Sequence, residues 1–526
     1  MKRREFLKIT GLSAATIALS SCPLFNSASK KKNVLVIVSD DHANKTIRAF
    51  SGMKINTPNL DEMATHGVSF TNAYSNAPIC SASRQSLLTG KYPHATGVNL
   101  LFTPFNDTAN YTIAEHLKAK GYDTGIIGKT HWNSWIWWKY YDEGGGFPDF
   151  GFDYQVGKQD HRDHLKKHPP EPVSDSIKTH DQIKNHNTVE YKWNSSYLSQ
   201  KEHLADSEGK FFSDKAVEFM TSTRKKPFFL WLAYHEPHAP FKFPVEYRNK
   251  YKLDDIILLK GSPEDDRHIP EIFRGLSDKE KKGIIASYMS SVEYMDTCIG
   301  RVFAGLKKHN LEKDTLVMYI SDHGYLLYDH KRFEKHTMWE ESVKAPIIVQ
   351  GFEKNVKTNA LVEFIDVAPT ICEAVGVKSP KSFQGKSILP ILTGQTARVK
   401  EYVFSEFLED NKAMVATQDW KYVFTTGKRD LGLQYKTGYG PLGVTEKLYD
   451  LREDPKEHRD VSHKPENALQ LEKLRNKMLE IFMQTHPDAD NCPEKLNTIG
   501  KLIWFCEPRD VGAEPGLPLQ RIFEKD

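Results

Sequence analysis

The 526-residue sequence is poor in several features that mark particular classes of protein. It has six cysteines, too few for a fold held together by disulfides. Its 72 basic and 69 acidic residues leave a net charge of only +3, which gives no basis for nucleic-acid binding. It has no internal repeat. With 39% hydrophobic and 27% charged residues, the composition is that of a globular protein with a large core, and the length favours two domains.

The first 22 residues have the pattern of an export signal. Residues 2–8 are rich in lysine and arginine and include a twin-arginine pair, and the apolar stretch that follows is too short to span a bilayer. The stretch ends in Leu19-Ser-Ser-Cys22, which resembles a bacterial lipobox with Cys22 as the lipidated residue. A plain secretory signal cleaved nearby is the alternative. We expect an exported protein in the periplasm or on the surface of a Gram-negative bacterium, with residues 23–32 as a tether and the membrane contacted only through a lipid anchor.

Two apolar stretches, 33–39 and 315–321, each end in a pair of polar residues. Continuous apolar runs of this length are typical of central strands in a parallel sheet. Ligands of open α/β sheets bind at the carboxyl ends of the strands, so the polar residues are expected to meet at one edge. Carboxylates gathered there require a cation, and hard oxygen ligands suit Ca²⁺ or Mg²⁺, of which we expect Ca²⁺. Acids that merely cap the next helix are the alternative for either pair alone. The predicted ligands are Asp40, Asp41, Asp322 and His323.

The rest of the first 395 residues alternates between strand-like and helix-like patterns. This alternation predicts an α/β fold with a mixed, mostly parallel central sheet flanked by helices. We assign residues 33–395 to this domain. Further strands are predicted at 124–127, 227–233 and 346–349, and helices at 59–65, 112–120, 214–222, 284–308 and 367–375.

The pattern changes after residue 395. Short strands with polar turns are predicted at 402–407, 413–417, 421–425 and 447–449, and an amphipathic helix at 468–484. These elements predict a smaller C-terminal α+β domain, residues 396–526, built on an antiparallel sheet and ending in a proline- and glycine-rich tail. Cys492 and Cys506 in this tail form a disulfide or remain two thiols.

The segment around Cys80 combines three chemical features in five residues. Pro78 disfavours helix for the residue before it and Gly90 suits a C-terminal cap, so residues 81–88 are predicted to be helical. Cys80 then lies at the helix N-terminus, where free N–H groups and the helix dipole favour an anion. Arg84 is four residues on and shares the same face. A buried cysteine beside an ordinary helix is the alternative.

Basic residues follow other predicted strands. Because an α/β enzyme keeps its site at strand ends, they are candidates for the site, although a single histidine is more often structural. His94 suits the site and the packing of a loop equally well. The strand-end candidates are Lys129, His131, His235, His238, Lys335 and His336.

Together these segments resemble the type I, formylglycine-dependent sulfatases, which have an alkaline-phosphatase-like fold. The family signature has Cys or Ser, any residue, Pro or Ala, any residue and Arg, and then Leu-Thr-Gly. Cys80-Ser-Ala-Ser-Arg84 and Leu88-Thr-Gly90 match it. Other family motifs follow in the same order: Ser-Asp-Asp41, Gly-Lys-Thr-His131, Pro-His-Ala-Pro240, Ser-Asp-His-Gly324, Lys335 with Glu340-Glu-Ser342, and Leu-Tyr-Asp-Leu-Arg-Glu-Asp-Pro455.

The resemblance implies that Cys80 is oxidised to formylglycine, acts as the hydrated aldehyde and joins the metal ligands. Ala82 stands where the family more commonly has Pro, which is closer to the substrates of the anaerobic-type radical maturase than to those of the oxygen-dependent enzyme. Twin-arginine export of a folded protein fits maturation in the cytoplasm.

The resemblance also implies roles in the hydrolysis of a sulfate ester. Positive groups would offset the charge of the ester, and two histidines would assist proton transfers. Arg84, Lys129 and Lys335 are the charge-offsetting groups, Asp322 activates the attacking hydroxyl, His131 assists the diol or its collapse, and His238 with Lys335 protonates the leaving oxygen.

Four tryptophans in residues 131–141 bear on the substrate. They form either an aromatic wall for sugar rings or a packed core loop. Together with export, the first option favours a sulfated carbohydrate, such as ulvan, carrageenan or a glycosaminoglycan, over a small aryl sulfate. The competing functions are a formylglycine-dependent phosphonate monoester or phosphodiester hydrolase, a thiol hydrolase using Cys80 and His131, and a non-catalytic surface glycan-binding lipoprotein.

Overall fold

The structure is a computed structural model that describes residues 33–101, 103, 105, 109–132, 149–352, 355–427, 436–440 and 443–509. The predicted signal 1–22 with Cys22, the tether 23–32 and three of the four tryptophans, Trp135, Trp137 and Trp138, lie outside these residues. Among the helices within them, none is long and apolar enough to cross a membrane.

The strands lie largely where apolar runs predict them, and the structure has several further short strands that were not predicted. Every predicted strand is present to within two residues at each end. The strands are β1 (Asn33–Ser39), β2 (Val68–Phe70), β3 (Ala73–Tyr74), β4 (Asp123–Gly128), β5 (Tyr154–Val156), β6 (Phe228–Ala233), β7 (Thr315–Ser321), β8 (Leu326–Leu327), β9 (Phe333–Glu334), β10 (Ile347–Gln350), β11 (Val356–Thr358), β12 (Val362–Glu363), β13 (Val403–Phe407), β14 (Lys412–Ala416), β15 (Trp420–Thr425) and β16 (Thr445–Asp450).

The helices alternate with the strands through the first domain. They are α1 (Arg48–Ser51), α2 (Pro58–His66), α3 (Cys80–Thr89), α4 (Pro93–Thr96), α5 (Ile113–Ala119), α6 (Lys158–Lys167), α7 (Val189–Lys192), α8 (Glu208–Thr221), α9 (Glu271–Arg274), α10 (Asp278–Lys308), α11 (Glu340–Val343), α12 (Val367–Ala374), α13 (Leu389–Leu392), α14 (Ala468–Thr485) and α15 (Thr498–Phe505).

Two helices begin six residues earlier than predicted. Helix α10 starts at Asp278 rather than at 284, because Ser277 and Glu280 form a capping box there. The first turn is polar, so the hydrophobic pattern does not reveal it. Helix α8 starts at Glu208 rather than at 214, because Phe211 and Phe212 already lie on its buried face.

The central sheet has the strand order β11-β2-β10-β7-β1-β6-β4-β5. Strand β1 pairs in parallel with β6 and β7, so that Val38 lies between Ala233 and Ile320. Strand β10 is antiparallel to both of its neighbours, which makes the sheet mixed. The carboxyl ends of β1, β4, β6 and β7 therefore share one edge, and the predicted α/β fold is confirmed.

Helices cover both faces of this sheet, which explains why the central strands are continuously apolar. Alternate residues of β1 enter different cores. Val34, Val36 and Val38 belong to one core, with residues of α5 and α12. Leu35 and Ile37 belong to the other, with residues of α8 and α10.

The smaller sheet, β13-β14-β15-β16, is antiparallel throughout, as predicted. Helix α14 packs on it through Leu474, Met478 and Phe482. The tail contributes a further helix, α15, that the proline and glycine content of the tail does not predict. Its Phe505 stacks on Phe482 with ring centroids 5.1 Å apart. Of the two alternatives for the tail cysteines, Cys492 and Cys506, the structure has two free, buried thiols.

Candidate active site

Helix α3 begins at Cys80 and is buried along its whole length. Gly90 ends it with φ +62°, and its N–H donates to the carbonyl of Ser86. A side chain at Gly90 would also approach the ring of Phe383 to 3.0 Å, so glycine is required here for both conformation and space. The predicted helix with Cys80 at its N-terminus is present.

The predicted metal ligands converge on Cys80. Its Sγ lies 3.4 Å from Asp40 Oδ1 and 3.3 Å from His323 Nε2. Asp40, Cys80, Asp322 and His323 each place a ligand atom within 4.8 Å of the others. Asp41 is adjacent, with its Oδ1 3.3 Å from His323 Nε2. The tips of β1 and β7 thus meet at the start of α3.

These residues fit a divalent cation. Asp41 Oδ2 is buried and accepts no hydrogen bond from any described residue. His323 Nδ1 donates to the carbonyl of Gly324 at 2.9 Å, which leaves the Nε2 lone pair facing the carboxylates. Three buried carboxylates with one imidazole form a donor set dominated by hard oxygen, suited to Ca²⁺ or Mg²⁺.

Three positively charged side chains surround Cys80 and the strand-tip carboxylates. Arg84 Nε donates to Asp322 Oδ2 at 2.8 Å. The Lys129 ammonium pairs with Asp40. Lys335 Nζ lies 2.5 Å from Asp41 Oδ1 and 3.4 Å from Cys80 Sγ. Each strand-tip carboxylate therefore has its own buried or nearly buried positive partner.

Burial and these charges set the ionisation of the site. Burial alone would raise the pKa of Asp40, but Lys129, His238 and Arg84 hold it well below its usual range. Burial raises the pKa of Asp41 to about 6 against the opposing charge of Lys335. Burial also raises the pKa of the Cys80 thiol, and the charge of Asp40 adds to the rise. Cys80 is consequently a thiol, not a thiolate, at neutral pH.

Besides His323, two of the predicted histidines lie at the site. Burial, with the nearby charge of Lys129, lowers the pKa of His131 well below its usual value, so the ring is neutral. Its Nδ1 is buried and has no hydrogen-bond partner among the described residues. His238 Nδ1 donates to the carbonyl of Ala239 at 2.7 Å. Its Nε2 lies 3.8 Å from Asp41 Oδ2, and its side chain is 38% exposed, which gives it access to a bound ligand.

Three other histidine candidates have structural contacts. His94 Nδ1 lies 3.0 Å from both oxygens of Glu406, and its Nε2 lies 2.8 Å from Thr485 Oγ1, so it packs a loop against the C-terminal domain. His235 pairs with Glu208 across 2.7 Å. The His336 ring stacks on Phe407 of β13 with centroids 5.4 Å apart.

Trp132 is a core residue rather than part of an aromatic wall. It is 1% exposed, and its ring stacks on Phe152 with centroids 5.9 Å apart. It also contacts Trp231 of β6 and Phe150 edge-on. The packed-loop alternative therefore holds for Trp132.

The segment that carries Lys335 is held by residues that sequence reasoning does not identify. Glu334 and His336 both have left-handed φ values, +82° and +68°, a costly conformation outside glycine. Trp193 Nε1 donates to Glu334 Oε1. Phe407, from the C-terminal domain, stacks on His336. These partners are isolated residues far away in the chain, and no local pattern marks them.

Comparisons with known proteins agree with this geometry. The family model described as Sulfatase matches residues 32–377, and the model described as N-sulphoglucosamine sulphohydrolase, C-terminal, matches residues 328–484. A sulfatase of Formosa agariphila is 28% identical over 487 residues, covering 87% of this chain and 88% of that protein.

Solved structures share the fold over nearly the whole chain. A phosphonate monoester hydrolase from Silicibacter pomeroyi has a TM-score of 0.70 at 23% identity and covers 88% of this chain and 97% of its own. A structure in complex with its substrate, D-glucosamine-2-N,6-O-disulfate, has a TM-score of 0.65 at 20% identity and covers 89% of this chain and 100% of its own. Because the sulfatase model covers well over half of the sequence, the chain belongs to the sulfatase family and is a sulfuric ester hydrolase.

Proposed function

We propose that this sulfatase removes sulfate from a sulfated carbohydrate, a polysaccharide or oligosaccharides derived from it, with formylglycine at position 80. The observation that supports this most directly is the setting of Cys80 Sγ, which lies 3.3–3.4 Å from Asp40, His323 and Lys335. A thiol whose pKa is raised by burial is a weak nucleophile. The site therefore suits an oxygen nucleophile at this position better than a cysteine, which argues against the thiol hydrolase.

Two groups would supply chemistry that the amino acids lack. The hydrate of formylglycine would supply one hydroxyl to attack sulfur, with the alcohol of the ester as the leaving group, and a second hydroxyl whose loss of a proton would re-form the aldehyde and expel sulfate. A divalent cation, which we propose is Ca²⁺, would be held by Asp40, Asp41, Asp322, His323 and residue 80 and would act as a Lewis acid.

The protein's own positive groups would stabilise the charge of the ester as it reacts. Arg84, Lys129 and Lys335 enclose the position of Cys80 Sγ together with the N-terminus of α3. Because these groups are buried or nearly so, their effect on a bound anion is stronger than it would be in water. They are held in place by ion pairs with the strand-tip carboxylates.

Proton transfers are assigned from position. Asp322 is our candidate for the group that activates the attacking hydroxyl, and Asp40 joins it because its Oδ1 contacts Cys80 Sγ at 3.4 Å. Neutral His131 would accept a proton during release of sulfate. His238, partly exposed and aligned by Ala239, would protonate the leaving oxygen together with Lys335.

The substrate class has independent support. The structurally similar protein solved with D-glucosamine-2-N,6-O-disulfate takes a sulfated sugar. The export pattern of residues 1–22 would bring the enzyme to extracellular polysaccharide, in the periplasm or at the cell surface through a lipid at Cys22. Trp132 does not add to this support, because it lies in the core.

The test is desulfation of a panel of sulfated oligosaccharides by protein co-expressed with either maturase, with the mass of the Cys80 peptide measured in parallel. We expect activity in proportion to the aldehyde form of that peptide, and the anaerobic-type maturase to be effective because of Ala82. Fully active protein with an unmodified thiol would refute formylglycine. Cys80→Ala, which cannot be converted, is the matched control and should be inactive.

A phosphonate monoester hydrolase is the second candidate, because one such enzyme has the same fold. Aryl sulfate and phosphonate ester turnover by the same preparation separates the two. A preference for the phosphonate ester by orders of magnitude would overturn the proposal that the enzyme is a carbohydrate sulfatase.

A further inference from the structure

We propose a second metal site, of zinc type, formed by Asp265, His330 and His458 beside the segment that carries Lys335. It is separate from the cation site at Cys80, shares no residue with it and does not depend on the substrate class proposed above.

Three distant segments bring these ligands together. Asp265 belongs to a 3-10 helix, Pro263–His268, and His330 lies in the turn Asp329–Lys331, where its φ of 50° is left-handed. His458 follows β16 in the C-terminal domain. Asp265 Oδ1 lies 2.8 Å from His330 Nδ1, and its Oδ2 lies 3.6 Å from His458 Nδ1. All three ligand atoms lie within 4.8 Å of one another, and those of a tetrahedral zinc site are about 3.4 Å apart.

Two unsatisfied polar atoms point to a missing ligand. His458 Nδ1 is buried and forms no hydrogen bond with any residue in the described part of the chain. Glu341 Oε2 is also buried without such a partner and lies 3.9 Å from His330 Nε2. A metal on His330 Nδ1 would leave a proton on Nε2 facing this carboxylate, which is the usual outer partner of a metal-bound histidine.

The surroundings orient the ligands in advance. The His330 ring is 1% exposed and stacks on Trp339 with centroids 4.0 Å apart and planes within 4°. Asp265 Oδ2 accepts a hydrogen bond from the backbone N–H of Ser262 at 2.5 Å, which fixes the carboxylate. The His458 side chain is 34% exposed, so a metal has a path to the site.

The donor set selects a different ion from the one proposed at Cys80. Two imidazoles and one carboxylate suit zinc-type transition metals, with water at the open position. Three carboxylates and one imidazole suit calcium. The two sites can therefore be loaded and measured separately.

The position of the site gives it a role. His330 lies five residues before Lys335, in a segment that also has left-handed residues at 328, 330 and 331. A metal shared by Asp265, His330 and His458 would tie this segment to the 3-10 helix Pro263–His268 and to the residues that follow β16. We infer a structural clamp that holds the segment in place.

The test uses Co²⁺ as a spectroscopic substitute for zinc in the Ca²⁺-loaded, full-length protein. We expect wild type to bind one more Co²⁺ per chain than His458→Ala, with the visible absorption of a four-coordinate site. The variant should bind at that site at least about tenfold more weakly. Zn²⁺ should raise the melting temperature of wild type and not that of the variant.

The matched control is His463→Ala, which removes an exposed histidine five residues away. It should bind Co²⁺ like wild type. Asp265→Asn is a second variant that keeps the side-chain shape and should lose the same single ion. Equal Co²⁺ binding by the His458 and His463 variants, or no Co²⁺ bound beyond the Cys80 site in wild type, would overturn the proposal.

Discussion

Arg84 and Asp322 form a buried ion pair in which Nε donates to Oδ2 across 2.8 Å, with the two side chains 1% and 0% exposed. The same guanidinium donates to the carbonyls of Lys129 at 3.1 Å and Ser39 at 3.5 Å. One side chain on the helix of Cys80 therefore contacts the ends of β1, β4 and β7. The position of residue 80 relative to the sheet edge depends on it.

Arg84→Met tests this dependence. The substitution leaves the carboxylates of Asp322 and Asp40 buried without their shared cation. We expect the free energy of unfolding to fall by about 3–5 kcal/mol, and kcat/KM for an aryl sulfate to fall by a factor on the order of 10² or more. Denaturant unfolding and steady-state kinetics measure the two effects.

The control for Arg84 is Arg48→Met. Arg48 makes the same Nε contact to an aspartate, Asp61, at 2.8 Å, but its side chain is 57% exposed. We expect a loss of less than about 1 kcal/mol and unchanged kinetics. Equal losses in the two variants would contradict the importance given to burial.

Removal of the cation should abolish activity and lower the melting temperature. Without it, Asp40, Asp41 and Asp322 repel one another with only lysine and arginine to compensate. We expect chelator-treated enzyme to recover with Ca²⁺ at lower concentrations than with Mg²⁺. Full activity in protein shown by elemental analysis to be metal-free would disprove a catalytic cation.

His94→Ala should affect stability and not catalysis. The ring joins Glu406 and Thr485 and stacks between Tyr92 and His486. Its loss leaves a buried carboxylate short of a partner, so we expect about 1–3 kcal/mol less unfolding free energy. The kcat of the folded protein should stay at the wild-type value. A drop in kcat without a change in stability would contradict this and indicate that His94 acts in the active site.

The sequence predicts the central sheet and its functional edge well because both depend on local signals. An apolar run that stops at an acid, as in β1 and β7, marks both a buried strand and the polar group at its tip. Cys80 and Arg84 likewise lie about one turn apart on the same face of α3. The sequence does not predict the contacts that join distant segments. One example is the contact between His94 and Glu406, which are 312 residues apart.

The role of Trp132 also could not be predicted from the sequence alone. An aromatic cluster near a site favours sugar stacking and core packing equally until its neighbours are known. Phe150, Phe152 and Trp231 place Trp132 in the core, and all three lie outside the cluster's own stretch of sequence, 131–141. The left-handed backbone at Glu334 and His336 is also not predictable from the sequence, because only a few per cent of non-glycine residues adopt it and no local pattern marks these two.

A pH-dependent contribution to stability is expected from Asp296. This residue of α10 caps α2, accepting hydrogen bonds from the backbone N–H groups of Leu60 at 2.8 Å and Asn59 at 3.1 Å. Burial raises its pKa from 3.8 to about 6, although these hydrogen bonds oppose the rise. The folded protein therefore holds this proton more tightly than the unfolded chain does. The resulting stabilisation is complete below about pH 4 and is lost as the pH rises through 6.

Asp296→Asn removes this titration while keeping the shape of the side chain. The amide leaves one backbone N–H of α2 without its acceptor, a cost that does not vary with pH. Between pH 4 and pH 7, we expect the unfolding free energy of the variant to rise relative to that of wild type by about 2 kcal/mol. Urea unfolding across this range measures the change, with the exposed Asp254→Asn variant as the surface control. If the difference in unfolding free energy between Asp296→Asn and wild type does not change with pH, the carboxyl is already ionised at pH 4. Its hydrogen bonds to α2 would then lower its pKa by more than burial raises it.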